Sequence, residues 1–88
     1  MEINFYTLEY TKQAVKDIQL LKAAKLDIKA EKLSKELQRN PYPLNSKQLY
    51  WDLKGKRSIR INLQHRLVYE VIEEKKIVKM LSMWSHYE

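Results

Sequence analysis

The sequence predicts an α+β fold, with two N-terminal helices packed on one face of a twisted antiparallel sheet in the order β-αα-ββββ. Three observations carry this reading. Apolar residues recur at helical spacing through the first part of the chain, and the proline-containing stretch "RNPYPLNS" then interrupts them. Beyond that stretch the apolar period falls to two, with turn signals between successive runs. A chain of 88 residues has room for one core, so residues 1–88 are expected to form a single domain.

Ile3 and Phe5 alternate with Asn4 and Tyr6, which predicts a short first strand. Thr7 is the expected N-cap, and a helical pattern follows from Leu8. Ala14, Ile18 and Leu21 form one apolar stripe, with Lys12, Lys16 and Asp17 between them. Ala30, Leu33 and Leu37 form a second stripe in a different phase, so the helix must bend between Ala24 and Asp27 into an αα-hairpin. No glycine or proline marks that break. Pro41 and Pro43 force the preceding residues out of the α region and end the helical part. Leu49, Trp51 and Leu53 then alternate as a strand, and Gly55 supplies a turn. Ile59, Ile61 and Leu63 share one face of the next strand, leaving Ser58, Arg60 and Asn62 on the other. Leu67, Tyr69 and Val71 alternate in "HRLVYEV", "EEKK" makes a charged turn, and "KIVKMLSMW" runs on as a last, mostly buried strand. Two helices cover one face of such a sheet, so the opposite face should be partly open. Trp, His and Tyr at the very end of the chain fit a terminus docked as a strand, and an ordered end can be a working end.

The 17 Lys and Arg against 11 Asp and Glu give a net charge of +6. Such an excess favours polyanionic partners (RNA, DNA or an acidic protein), although a lysine-rich solvated surface accounts for it equally well. There is no cysteine, which excludes disulfides, thiolate catalysis and zinc–cysteine sites. Two widely separated histidines argue against a zinc site, and no cofactor is expected. No run is apolar enough to span a membrane and no signal-peptide pattern is present, so a soluble, cytoplasmic protein without a membrane partner is expected.

The polar residues of the sheet suggest chemistry. Arg60 lies opposite the core face, Arg66 opens its strand directly after His65, and His86 and Tyr87 close the chain. Two guanidinium forks can grip a phosphate and stabilise a pentacoordinate phosphorus. An imidazole can move the proton, and a phenol ring can stack on a base. RNA carries its own nucleophile in the 2′-hydroxyl. Taken singly, each residue also has an ordinary reading as a solvated edge pair or a packed ring.

Jointly, "DLKGKRSIRINLQHRLVYEV" and the closing "MWSHYE" resemble the YoeB/Txe branch of the RelE-like toxins. The likeness covers most of Leu49 to Glu88. It implies a RelE-like fold and a metal-independent, ribosome-dependent mRNA endoribonuclease that cuts message in the ribosomal A site and halts translation. It further implies mRNA and ribosomal RNA as partners, a cognate antitoxin that neutralises the protein, and operator DNA bound only by the toxin–antitoxin complex. By that resemblance Arg60 matches the second arginine of "SRRI" and Arg66 the arginine of "HRLVY", both for phosphate stabilisation. His86 and Tyr87 match the terminal "HY", as general acid and substrate-stacking ring. Ser58 and His65 match motif positions too, and their expected roles are strand-end hydrogen bonding or packing.

The sequence departs from the family pattern at three places. Lys47, in "SKQL", stands where the family's general-base glutamate is expected, Ile59 replaces the first arginine of "SRRI", and Arg57 replaces the aromatic before the serine. A lysine acts as a base only with a strongly lowered pKa, from burial or from positive neighbours such as Arg57, Arg60 and Arg66. Alternatively Lys47 steadies the phosphate, and His86 or water removes the proton. The third possibility is a weakened or inactive module that binds ribosomal RNA or its antitoxin without cleavage. Lys54, Lys56 and Arg57 are the expected ribosomal-RNA contacts, with solvated turn charges as the alternative for the two lysines.

Overall fold

A computed structural model, which describes residues 5–49 and 55–86 (residue 86 by its backbone alone), contains the expected order of elements. Strand β1 (Thr7–Tyr10) leads into helices α1 (Lys12–Ala23) and α2 (Asp27–Arg39). Strands β2 (Ser46–Gln48), β3 (Lys56–Arg60), β4 (His65–Ile72) and β5 (Ile77–His86) follow. They form a five-stranded sheet in the order β1-β5-β4-β3-β2. The last strand therefore lies inside the sheet, between β1 and β4.

The first strand and first helix lie further along the chain than Ile3 to Tyr6 and Leu8. Ile3 and Asn4 fall outside the described residues, and Thr7 opens β1 instead of capping α1. The cap is Thr11, whose hydroxyl accepts the Ala14 N–H at 3.1 Å and donates to the Leu81 carbonyl at 2.8 Å. Both threonines precede helix-compatible residues, so the cap is decided by tertiary structure. Residues 7–10 pair in register with Ile77–Met80, and only Thr11 can reach both partners. That β1–β5 pair is parallel, whereas β2 through β5 pair antiparallel. Alternation reveals strands but carries no information about the direction of a distant pairing.

The break between the helices is a Schellman motif without glycine. Leu26 N–H bonds to the Leu21 carbonyl at 2.8 Å and Lys25 N–H to that of Lys22 at 3.0 Å. Lys25 takes the left-handed conformation at φ 59°, which ordinarily favours glycine. Leu26 packs against the core cluster that includes Leu21. Asp17, one of the polar residues between the positions of the first apolar stripe, is buried with Ala14 and Leu21.

The core lies between the helices and one face of the sheet. Leu21, Leu37, Ile59, Ile61, Leu67, Tyr69, Val78 and Met80 are all essentially inaccessible, each worth about 1.5–3 kcal/mol relative to exposure. The Tyr69 hydroxyl donates to the Pro41 carbonyl at 2.7 Å, tying the linker after α2 to the sheet. Leu63 does not continue the buried face of β3, being 82% exposed. The Asn62 side chain accepts the N–H groups of Gln64 and His65, both at 2.8 Å, and this Asx turn ends the strand. Strand β2 begins earlier than the alternation from Leu49 suggested, and Trp51 and Leu53 lie outside the described residues. Gly55 turns the chain at φ 83°. On the surface, Tyr6 and Lys76 donate to the Glu73 carboxylate at about 3.0 Å, joined by the Tyr42 hydroxyl.

Candidate active site

Alternation along β3 and β4 sorts the side chains. Ile59, Leu67, Tyr69 and Val71 turn to the helices, while Ser58, Arg60 and Arg66 take the other face. Arg60 and Arg66 stand directly opposite one another between β3 and β4, and Lys47 of β2 stands opposite Ser58. Arg60 is exposed, but Arg66 is only 9% exposed. Its Nη1 donates to the hydroxyl of buried Ser58 at 3.0 Å. Asn45, Lys47, Arg60 and Arg66 line an open cleft of about 430 Å3, within the range of about 300–1,000 Å3 usual for ligand sites. Three cations and one amide thus surround the space, with Arg66 held nearly dry and fixed in direction.

Strand β5 pairs with β4 beside the same place. Ser85 is the register partner of Arg66, and His86 that of His65. The strand is bulged on the way: from Ser82 to Ser85 it advances three residues while β4 advances two, from Val68 to Arg66. The hydroxyls of Ser82 and Ser85 are hydrogen-bonded to each other. The bulge places both serines opposite open-face residues, with Met83 buried between them. His65 is buried and stacked on Trp84, ring centroids 3.8 Å apart, in keeping with its expected packing role.

The structure therefore brings Lys47, Arg60 and Arg66 together and carries the backbone of His86 to the residue after Ser85. The His86 side chain, Tyr87 and Lys54 lie outside the described residues. Two further predicted residues lie apart from the cleft. Arg57 is on the helix side of β3: its Nε and Nη2 donate to Ser46 Oγ at 3.1 and 2.8 Å, and its guanidinium lies 5.3 Å over the Tyr42 ring. One step along a strand reverses the face, so Arg57 cannot join Arg60 as a positive neighbour of Lys47. It anchors the start of β2 instead. Lys56 pairs with Glu70 at the other end of β3, about 13 Å from Arg60 at about 3.3 Å per residue. Sequence reasoning missed Asn45, which reads as a turn residue in "PLNS", and the serine pair on β5. Only the pairing of β2 with β3 and the bulge reveal them. Among the described residues no cluster of His, Cys, Asp and Glu could hold a metal ion, and no helix is long and apolar enough to cross a membrane.

Comparison with known proteins identifies the family and the fold. The family model described as the YoeB-like toxin of bacterial type II toxin–antitoxin systems matches residues 10–87. No curated protein sequence matches the chain. Among solved structures, a YoeB/ParE toxin from Agrobacterium tumefaciens is 26% identical with a TM-score of 0.81, over 92% of this chain and 99% of that one. The YoeB dimer from Staphylococcus aureus is 30% identical with a TM-score of 0.79, over 93% and 98%. The heterotetrameric YoeB–YefM toxin–antitoxin complex from the same organism also shows 30% identity over 93% and 98%, with a TM-score of 0.75. By fold and by the match over residues 10–87, the chain belongs to the YoeB-like toxins of bacterial type II toxin–antitoxin systems.

Proposed function

We propose that the chain is a ribosome-dependent mRNA endoribonuclease of the cytoplasm, residues 1–88 acting as one domain. The observation that carries this reading is the cross-strand pair Arg60–Arg66 lining one cleft with Lys47. Forked guanidinium donors match phosphate oxygens and gain strength where water is excluded, as around Arg66. In the proposed reaction the 2′-hydroxyl of the message attacks the adjacent phosphorus, and the P–O5′ bond breaks to leave a 2′,3′-cyclic phosphate. Arg60 and Arg66 hold the non-bridging oxygens, His86 delivers a proton to the departing 5′-oxygen, and Tyr87 stacks on a base. Lys47 is exposed and shares the cleft with Arg60 and Arg66. Its place in the cleft supports a phosphate contact; with His86 serving the departing oxygen, water accepts the 2′-hydroxyl proton. Lys54 and Lys56 would meet ribosomal RNA outside the cleft, and Arg57 would contribute by fixing β2.

A cognate antitoxin would neutralise the protein, as the YoeB–YefM assembly of the S. aureus relative suggests, and operator DNA would be bound only by that complex. Mapping mRNA 5′ ends on purified ribosomes tests the reading. Wild-type protein should create new ends within the A-site codon, His86→Ala and Arg66→Ala should create none while folded, and Lys47→Ala should slow their appearance. Growth arrest without new 5′ ends would favour a binding module that does not cleave.

A further inference from the structure

We infer that Asp17 is a positioning residue for the working end of β5. It reaches from α1 to the backbone that carries Ser85 and His86 into the site. Asp17 is 3% exposed on the inner face of α1, between Ala14 and Leu21. Both of its carboxyl oxygens are engaged. Oδ1 accepts from Gln13 Nε2 at 2.8 Å, and Oδ2 accepts the backbone N–H of Met83 at 2.9 Å, 66 residues away in the sequence.

Met83 lies inside the bulge between Ser82 and Ser85. A bulge leaves an extra residue outside the ladder, and a buried N–H there needs a partner from elsewhere. Asp17 supplies one. A carboxyl group in an apolar helix–sheet interface is expensive, and an alanine or leucine would pack there at less cost. What the carboxyl provides is a fixed height and rotation for β5 at the residue where the strand changes phase. Its direct consequence is the placement of Ser85 opposite Arg66 and of the His86 backbone opposite His65. Bulges beside reactive sites commonly re-aim side chains, and here the aim is held by one hydrogen bond from the neighbouring helix. The Ser82–Ser85 hydroxyl bond braces the bulge on the opposite face. Gln13, exposed on α1, keeps the Asp17 carboxyl turned towards β5. The catalytic part of this inference rests on the endoribonuclease reading; the structural part does not.

The test compares wild-type protein with Asp17→Asn, which keeps an acceptor oxygen for Met83, and Asp17→Leu, which fills the space without one. Two quantities are read: the cleavage rate at saturating ribosomes against the half-saturating ribosome concentration, and amide hydrogen exchange along β4 and β5. For Asp17→Leu the saturated rate should fall about 10- to 100-fold, as for a displacement of about 1 Å at reacting atoms. Half-saturation should stay within about twofold, because the phosphate-gripping arginines are untouched. Exchange at residues 83–86 should quicken about tenfold or more while residues 67–71 keep their protection, since local opening is separable from global unfolding. Asp17→Asn should remain within about threefold of wild type, its amide oxygen replacing Oδ2. A wild-type rate for Asp17→Leu would overturn the inference. Exchange that quickened equally over residues 67–71 and 83–86 would also overturn it, because Asp17 would then support only the fold. If wild-type protein failed to cleave at all, the endoribonuclease reading would fall. The exchange pattern would still decide whether Asp17 holds the strand end.

Discussion

Replacing Arg66 with alanine tests catalysis and stability together, because the side chain serves both. It is nearly buried and donates to Ser58, itself only 2% exposed. Truncation leaves that hydroxyl without its guanidinium donor, at a cost of about 1–3 kcal/mol. Loss of one of two like charges standing opposite each other returns about 0.2–1 kcal/mol. The net loss is therefore about 1–2 kcal/mol, which lowers the melting temperature of a domain this size by about 4–8 °C per kcal/mol. The effect on reaction should be larger, since removing one donor to a developing oxyanion costs about 100- to 1,000-fold in rate. Adding Ser58→Ala separates the two. The double variant no longer contains the stranded hydroxyl, so its melting temperature should recover most of the loss while cleavage stays low. Single-turnover cleavage on ribosomes and thermal unfolding by circular dichroism read both quantities. Recovery of cleavage in the double variant would refute the argument, since activity would then follow stability and not the phosphate contact.

Further predictions follow from the same reasoning. Lys25→Gly should raise stability by about 0.5–1 kcal/mol in denaturant unfolding, because a lysine now occupies the left-handed position of the α1–α2 turn. Hydrogen bonds from Tyr42, Lys76 and Tyr6 hold the Glu73 carboxyl down at about 2, against an ordinary value of 4.5. Its contribution to stability is therefore complete above pH about 4.5 and is lost as pH falls through about 2. Glu73→Gln should flatten the acid limb of the stability curve in that window and lower stability at neutral pH, where the contribution is complete. For binding to a 2′-deoxy, non-cleavable single strand, Lys47→Ala should reduce the slope of log affinity against log salt by about 0.7, the value of one phosphate contact.

Much of this fold could be read from residue spacing because its elements are locally consistent. The apolar stripes of Ala14–Leu21 and Ala30–Leu37 and the alternation of Leu67, Tyr69 and Val71 report burial directly. The misreadings share one cause, which is dependence on a partner distant in sequence. Thr7 and Thr11 are equivalent as local caps, and only Leu81 and the pairing of β1 with β5 select the second. Asp17 reads as one more polar residue outside the apolar stripe until the Met83 N–H is seen to need it. Arg57 and Arg60 look like one basic patch, yet strand alternation puts them on opposite faces. The cleft itself was legible in part. Alternation set Arg60 apart from the core, the start of the next strand gave Arg66 and resemblance singled out Lys47, but Asn45 and the serine pair depend on register and on a bulge that no local pattern announces.

The central claim is that Arg60 and Arg66 grip a single phosphate of the message beside the end of β5. The most direct measurement is a structure of the protein on a ribosome whose A-site codon carries 2′-methoxy groups to block cleavage. The account predicts oxygens of the scissile phosphate within about 3.2 Å of both guanidinium groups, with residues 85 and 86 alongside. A message phosphate held by neither arginine, or two arginines bound to phosphates of separate strands, would contradict it.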